Sequence, residues 1–306
     1  MSATRQPLHN WVWPGVVFGV IAVILVMDWR LASIAAVWLI AWMINTILAR
    51  NETPGASILV PVIFGLTLLT LWELAVRLFE VSPVILPAPT EIAVAFGANT
   101  STLWADFVQT IIRGALVGYV IGCGAAFVTA LAIDRSSFLE RGLLPVGNFI
   151  AVLPIVGTAP IFVMWFGFGP SSKIAVVVAM VFFPMLINAV QGLKASEAMQ
   201  RDLMHTYAAN YWQSLIKLRL PTALPFLFNG LKICTTLALI GAIVAEFFGS
   251  PTVGMGFRIK IEVGRLAMDM VWAEITVAAI AGSGFYGLIV LLERHLTFWH
   301  PSQRRG

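Results

Sequence analysis

Charge is what this sequence has least of. Asp, Glu, Lys and Arg make up 11% of its 306 residues, where about 25% is usual in a soluble chain. With 59% hydrophobic residues and a mean hydropathy of +0.90, it carries more apolar surface than one aqueous core of this size hides, so lipid must solvate the excess. Cysteine is nearly absent too. Cys123 and Cys234 fall in apolar runs, where they read as small buried hydrophobes, and two thiols make neither a disulfide framework nor a thiolate metal cluster. The four histidines, His9, His205, His295 and His300, lack metal-ligand spacing. The dipeptide Gly-Lys does not occur, which removes the phosphate cradle of a nucleotide hydrolase. A net charge of +4 is too small and too scattered for nucleic acid. Soluble enzymes, secreted scaffolds and nucleic-acid-binding proteins are thereby excluded, and no metal or cofactor site is expected.

What is there in abundance is long apolar runs. A span needs about 20 apolar residues to cross a hydrocarbon core, which predicts eight helices: 11–27, 31–49, 57–79, 109–132, 143–166, 173–192, 222–246 and 272–293. The expected fold class is an all-α, polytopic membrane protein. The run Trp11 to Met27 has no clean small-residue cleavage site and reads as a retained helix. It meets the next span across Asp28-Trp29-Arg30, so 1–53 is expected to form a hairpin, with Pro54-Gly55 as the boundary before 54–306. Placing both termini in the cytoplasm puts Arg5, Arg50, Arg135, Arg141, Lys194, Arg201, Lys217, Arg219, Arg294, Arg304 and Arg305 inside. It leaves Arg30, Arg77, Arg113, Lys173, Arg258, Lys260 and Arg265 outside, in keeping with the positive-inside bias. The cluster Arg258, Lys260, Arg265 opposes that assignment locally, beside Glu262 and Asp269.

The longest inward connection, 194–221, carries the most information. Apolar pairs recur about every four residues, from Leu203-Met204 to Leu215-Ile216, which predicts one amphipathic helix over 202–217. Asp202 would lie in its first turn and Lys217 in its last, and Leu220-Pro221 would stop it. An amphipathic helix of this kind either lies on the membrane surface or docks a partner protein.

At this point the chain resembles the inner-membrane permeases of binding-protein-dependent ABC importers. Their cytoplasmic frame, Glu-Ala-Ala, three residues, Gly, nine residues, Ile, one residue, Leu-Pro, falls on Asp202-Leu203-Met204, Ala208, Leu218 and Leu220-Pro221 with every spacing kept. Leu203-Met204 in place of Ala-Ala is a departure. The likeness extends over roughly 80–300. It takes in Ser82-Pro83 to Leu86-Pro87-Ala88-Pro89, the proline-rich run from Pro154 to Gly169, Ser172-Lys173, Trp212-Gln213, Leu224-Pro225, Gly230-Leu231-Lys232 and Ala245-Glu246, as in the nitrate, sulfonate and taurine branch. The resemblance implies a six-helix type I permease core over 54–306, with 1–53 outside it, in a bacterial inner membrane. It implies a cytosolic ABC ATPase dimer that consumes the ATP, an external substrate-binding protein, and a second permease copy as homodimer partner. It also implies an ATPase-docking segment that includes Asp202, Leu203, Met204, Ala208, Trp212, Leu218, Leu220 and Pro221.

The pathway is sought among residues that break or punctuate the apolar spans. Pro154, Pro160 and Pro184 interrupt helical hydrogen bonding, which membranes tolerate where backbone faces protein or a cavity. Asn188, Asn229 and Lys232 are polar at or near membrane depth, and Lys232 either serves function or snorkels to the interface. Glu246 reads as the end of its span, and Gly114, Gly118 and Gly122 as close-packing positions. No row of basic residues favours an anionic cargo. The many Trp and Phe residues lean towards a planar heterocycle, of the thiamine-precursor pyrimidine or riboflavin kind, over nitrate, sulfonate or taurine. The alternatives are a secondary transporter or channel, for which no ion-coupling row is visible, and a membrane enzyme, for which no converging nucleophile or acid–base set is visible.

Overall fold

The computed structural model describes residues 19, 28–50, 56–151, 154–249 and 252–298. The predicted span 11–27 apart from residue 19, the Pro54-Gly55 boundary and both chain ends lie outside the described residues. The chain forms two compact units, Met1–Gly97 and Ala98–Gly306.

In the first unit, α1 (Trp29–Arg50) packs on α2 (Ala56–Leu78), and α3 (Pro89–Ala98) follows. Apolar side chains such as Trp38, Ile40, Phe64 and Leu66 are exposed all round, as a lipid-facing hairpin requires. The hydroxyls of Thr46, Thr67 and Thr70 donate to carbonyls one turn back, so these three groups need nothing from lipid. Near the end of α2, Glu73 pairs with Arg77 and accepts from the amide of Thr90 at 3.1 Å and its hydroxyl at 2.8 Å. This fixes the entry to α3, where Pro89 occupies the first helical position.

In the second unit, α4 (Thr100–Phe107) runs through a wide π turn (Val108–Leu116) into α5 (Val117–Arg135). Then come α6 (Ser137–Ala151), α7 (Ile155–Phe166), α8 (Pro170–Lys194) and α9 (Ala198–Thr206). The short α10 (Tyr211–Ser214) passes through a second π turn (Leu215–Arg219) into α11 (Leu220–Gly249). The unit ends with α12 (Met255–Gly264) and α13 (Met268–Leu296). No strand occurs among the described residues. Helix α8 lies between α5 and α11. Gly118 and Gly122 face it, and Ala126, Ala130, Ala223, Ala238 and Ala242 are buried in the same cluster. A Cβ at Gly118 would stand 2.6 Å from Val177 Cβ and 3.2 Å from the Ile174 carbonyl. Between membrane helices, close van der Waals packing supplies what hydrophobic burial cannot, so the glycines are packing positions as the sequence suggests. Both cysteines are buried and unbridged.

Six described helices are long and apolar enough to cross a membrane: Trp29–Ala49, Ile58–Leu78, Thr100–Arg135, Pro170–Lys194, Tyr211–Gly249 and Met268–Leu296. They coincide with six of the eight predicted spans. The predicted span 143–166 is instead two helices, α6 and α7, with Pro154 extended between them at φ −69° and ψ 113°. Proline has no N–H to continue the α6 ladder and is at home where a new helix begins. Helix α7 ends at Gly167, whose φ of +78° suits glycine and whose N–H donates to the Val163 carbonyl at 2.8 Å. Gly169 and Pro170 then start α8. The Trp165-to-Gly169 run is thus a stop signal followed at once by a start.

Candidate functional site

The 194–221 connection differs from the single stiff helix expected over 202–217. Helix α9 begins earlier, at Ala198, capped by Glu197 with Gln200 in a reciprocal box, and it stops at Thr206. Residues 207–210 form a turn in which Ala208 stands at φ +50°. A second reciprocal box then opens α10: the Gln213 amide donates to Asn210 Oδ1 at 2.9 Å, and the Asn210 amide donates to Gln213 Oε1 at 2.9 Å. Nor does Leu220-Pro221 stop the helix. The wide turn Leu215–Arg219 opens the spiral just before Pro221, where an N–H would be missing, and the helix runs on to Gly249. Asp202 is therefore mid-helix in α9, while Lys217, Leu218, Leu220 and Pro221 belong to a different helix.

Of the predicted docking residues, Asp202, Leu203, Ala208 and Trp212 are exposed, and Met204, Leu218, Leu220 and Pro221 are half-buried. Met199, Leu203 and Tyr207, one helical turn apart, give an exposed apolar stripe; Met199 is 80% and Tyr207 75% exposed. The segment is bolted to the body by residues that the sequence reading did not single out. Asp134, at the end of α5, pairs with Arg219 and accepts from Arg219 Nη1 at 2.8 Å and the Tyr211 hydroxyl at 2.7 Å. Arg219 also donates to the Leu193 carbonyl at 3.1 and 3.0 Å. The Arg135 guanidinium lies over the rings of Tyr211 and Trp212, at 4.3 and 4.5 Å. The Asn-x-x-Gln box was legible in the sequence; a pair 85 residues apart was not.

Between α6, α7, α8 and α11 lies a cavity of about 320 Å³ lined by Ile150, Ile155, Thr158, Ile161, Phe162, Trp165, Ala179, Met180, Pro184 and Leu237. Its wall is apolar and aromatic, without an ionisable side chain, and the Thr158 hydroxyl and the Trp165 indole N–H are its polar side-chain groups. Of the pathway candidates, Pro184 lines it directly, while Pro154 and Pro160 shape the α7 wall. Asn188 donates to the Pro184 carbonyl at 2.9 Å and accepts from Asn229 at 3.0 Å. Lys232 is apart from this group and pairs with Glu293 of α13 at 2.9 Å.

Glu246 does not merely end a span. It is buried, takes Lys173 Nζ at 3.2 Å, and accepts from the Thr110 hydroxyl at 2.7 Å and the Gly256 amide at 3.0 Å. Asp106 is buried beside it and accepts from the Gly254 amide at 2.6 Å and Arg258 Nε at 2.9 Å. These side chains cap the N-terminus of α12 at the end of the unit opposite the 195–210 connection. The basic cluster at 258–265 is largely spoken for: Arg258 by Asp106, and Arg265 by Glu262 at 3.1 Å.

Residues 118–298 match the family described as binding-protein-dependent transport system inner membrane component. The chain is 29% identical to the formylaminopyrimidine transport permease protein of Halalkalibacterium halodurans, over 79% of this chain and 96% of that one. It is 32% identical to the riboflavin transport system permease protein of Chloroflexus aurantiacus, over 83% and 94%. It is 30% identical to the taurine transport system permease protein of Escherichia coli, over 76% and 86%.

Proposed function

Because the chain belongs to the binding-protein-dependent transport system inner membrane components, and is the transmembrane permease subunit of an ABC importer rather than an enzyme, we propose that its cargo is an uncharged, planar heterocycle. The observation that carries this is the cavity wall: aromatic and aliphatic surface, one hydroxyl and no cation. An anion held there would stay unpaired in a low-dielectric site, at a cost of several kcal/mol. A flat ring would instead lie against Phe162 and Trp165, with stacking worth about 1 kcal/mol beyond its buried area, and hydrogen-bond to Thr158. A relative named for formylaminopyrimidine and another named for riboflavin support this cargo class; the similarly distant taurine relative does not oppose it, since identity alone does not separate them.

Family membership supplies an ATPase and a substrate-binding protein as partners, in a multi-pass protein of the inner membrane. In the proposed arrangement two copies pair around the pathway and lipid covers the outer faces. Both termini are cytoplasmic, 1–53 is an accessory hairpin and 54–306 is the transport domain. The ATPase holds the exposed face of α9 together with the 207–212 turn. The uninterrupted helical path Tyr211–Gly249, about 58 Å at 1.5 Å per residue, runs from that turn past the Leu237 wall of the cavity. A rigid movement at the docking end therefore reaches the cavity without an intervening hinge.

The test is uptake by the reconstituted complex in the presence of unlabelled competitors. A pyrimidine or flavin should compete and Trp165→Ala should lower uptake about tenfold, the loss of one aromatic contact. Taurine or nitrate competing while the heterocycles do not would overturn the cargo assignment and leave family membership untouched.

A further inference from the structure

Glu274, in the second turn of α13, is 0% exposed, and neither of its carboxyl oxygens accepts a hydrogen bond. The charged groups that face it are Asp106 from α4, Arg258 from α12 and Glu246 from α11. Glu262 also belongs to α12 and Asp269 to its own helix. The cations of this cluster are engaged elsewhere: Arg258 with Asp106 at 2.9 Å, and Lys173 with Glu246 at 3.2 Å. Four buried carboxyl groups, Asp106, Glu246, Glu262 and Glu274, thus surround Lys173 and Arg258, and Arg265, on Glu262, is mostly exposed. A buried carboxylate with no donor and a second carboxylate as neighbour is not a state a marginally stable fold retains. A small positive charge shared between them would relieve that cost. A metal ion needs several ligands, and no cluster of three or more His, Cys, Asp or Glu with room for one exists among the described residues. A proton needs two oxygens.

We propose that Glu274 and Asp106 share one proton, making a carboxylic acid–carboxylate pair that fastens α13 to α4 and α12. Asp106 is the ionised member, because its two oxygens already accept from the Gly254 amide and from Arg258. Glu274 is the acid and donates its O–H to Asp106. The proton comes from water and leaves to hydroxide, with no other reactant. When it leaves, two adjacent carboxylates repel across the α4–α13 contact, and the capped start of α12, held by the same Asp106, loosens with them. The pair makes this end of the transporter sensitive to alkaline pH, through residues that touch neither the cavity nor the docking segment. On the orientation proposed above it senses the external medium, but the pair itself does not depend on that orientation.

The experiment uses the full chain, purified with its ATPase. Infrared spectroscopy should show a protonated-carboxyl C=O band at neutral pH that fades as pH is raised, is missing in Glu274→Gln and shifts in Asp106→Asn. The melting temperature of the wild type should fall towards alkaline pH. In Glu274→Gln, whose amide donates to Asp106 in place of the acid, that alkaline fall should be absent, with uptake at neutral pH within about twofold of wild type. A band that persists in Glu274→Gln, or identical pH profiles for the two proteins, overturns the proposal. So does a stoichiometric metal found by elemental analysis in the wild type and lost in Glu274→Gln. If the variants fail to fold, pH titration of the wild-type band decides alone: no fading band, no shared proton.

Discussion

A methyl group at position 208 stands where the backbone favours none. Ala208, at φ +50°, occupies the left-handed region, where an L side chain crowds the following carbonyl oxygen. Ala208→Gly should therefore stabilise the purified permease by about 1 kcal/mol, read as a rise of a few degrees in melting temperature. No rise would mean that the turn is not held in this conformation. The family frame that the chain resembles places glycine here. In a continuous helix a small residue would mean close packing, whereas the exposed side chain at 208 shows that the constraint is on backbone torsion. Conversely Gly118, read as a packing residue, is one. Gly118→Leu has no room against Val177 and the Ile174 carbonyl and should cost about 3 kcal/mol or prevent folding, which thermal denaturation would register against a surface control such as Gly124→Ala.

Helices in this protein are held at their ends by groups distant in sequence. The Asp134–Arg219 pair joins α5 to the segment leading into α11, with Tyr211 and the Leu193 carbonyl completing the set. Arg219→Met strips Asp134 of its cation and should cost about 3 kcal/mol, while the double variant Asp134→Leu/Arg219→Met should recover most of that stability. Uptake should stay about tenfold low in both, since the lever is no longer anchored, even though the exposed face of α9 still retains the ATPase on co-purification. A double variant no more stable than the single one would show that the two side chains act separately. The sequence could indicate apolar helices over 173–192 and 222–246. It could not indicate that residues 134 and 219 meet, because pairing across 85 positions depends on how α5, α8 and α11 stack.

For the molecule as a whole, the orientation has a direct check. Cysteines introduced at Ser2 and Gln303, in a background lacking Cys123 and Cys234, should both be shielded from an impermeant external thiol reagent and both react once the membrane is opened. Labelling of one terminus alone from outside would break the even span count behind the proposal. The order of α8, α11 and α13 already places the Leu296 end of α13 at the same end of the unit as the 195–210 connection, since α13 runs back along α11 from Glu274 near Glu246 to Glu293 at Lys232.

Hydrophobicity and helical period act on each stretch of chain separately. The sequence by itself therefore determined a lipid-solvated all-helical protein and six of its described spans, two of which start about ten residues earlier than their apolar runs suggest. Three things were decided by tertiary structure. The extended Pro154 between α6 and α7 turns one predicted span into two helices and opens an apolar cavity against α8 and α11. The turn at 207–210 divides the 194–221 connection between a separate helix and the root of α11. The stacking of α4, α8, α11, α12 and α13 gathers Asp106, Lys173, Glu246, Arg258 and Glu274 into one buried set. Each depends on long-range juxtaposition in a low-dielectric interior, where a charge is tolerated only if the fold brings it a partner, and the identity of that partner is not written next to it in the chain.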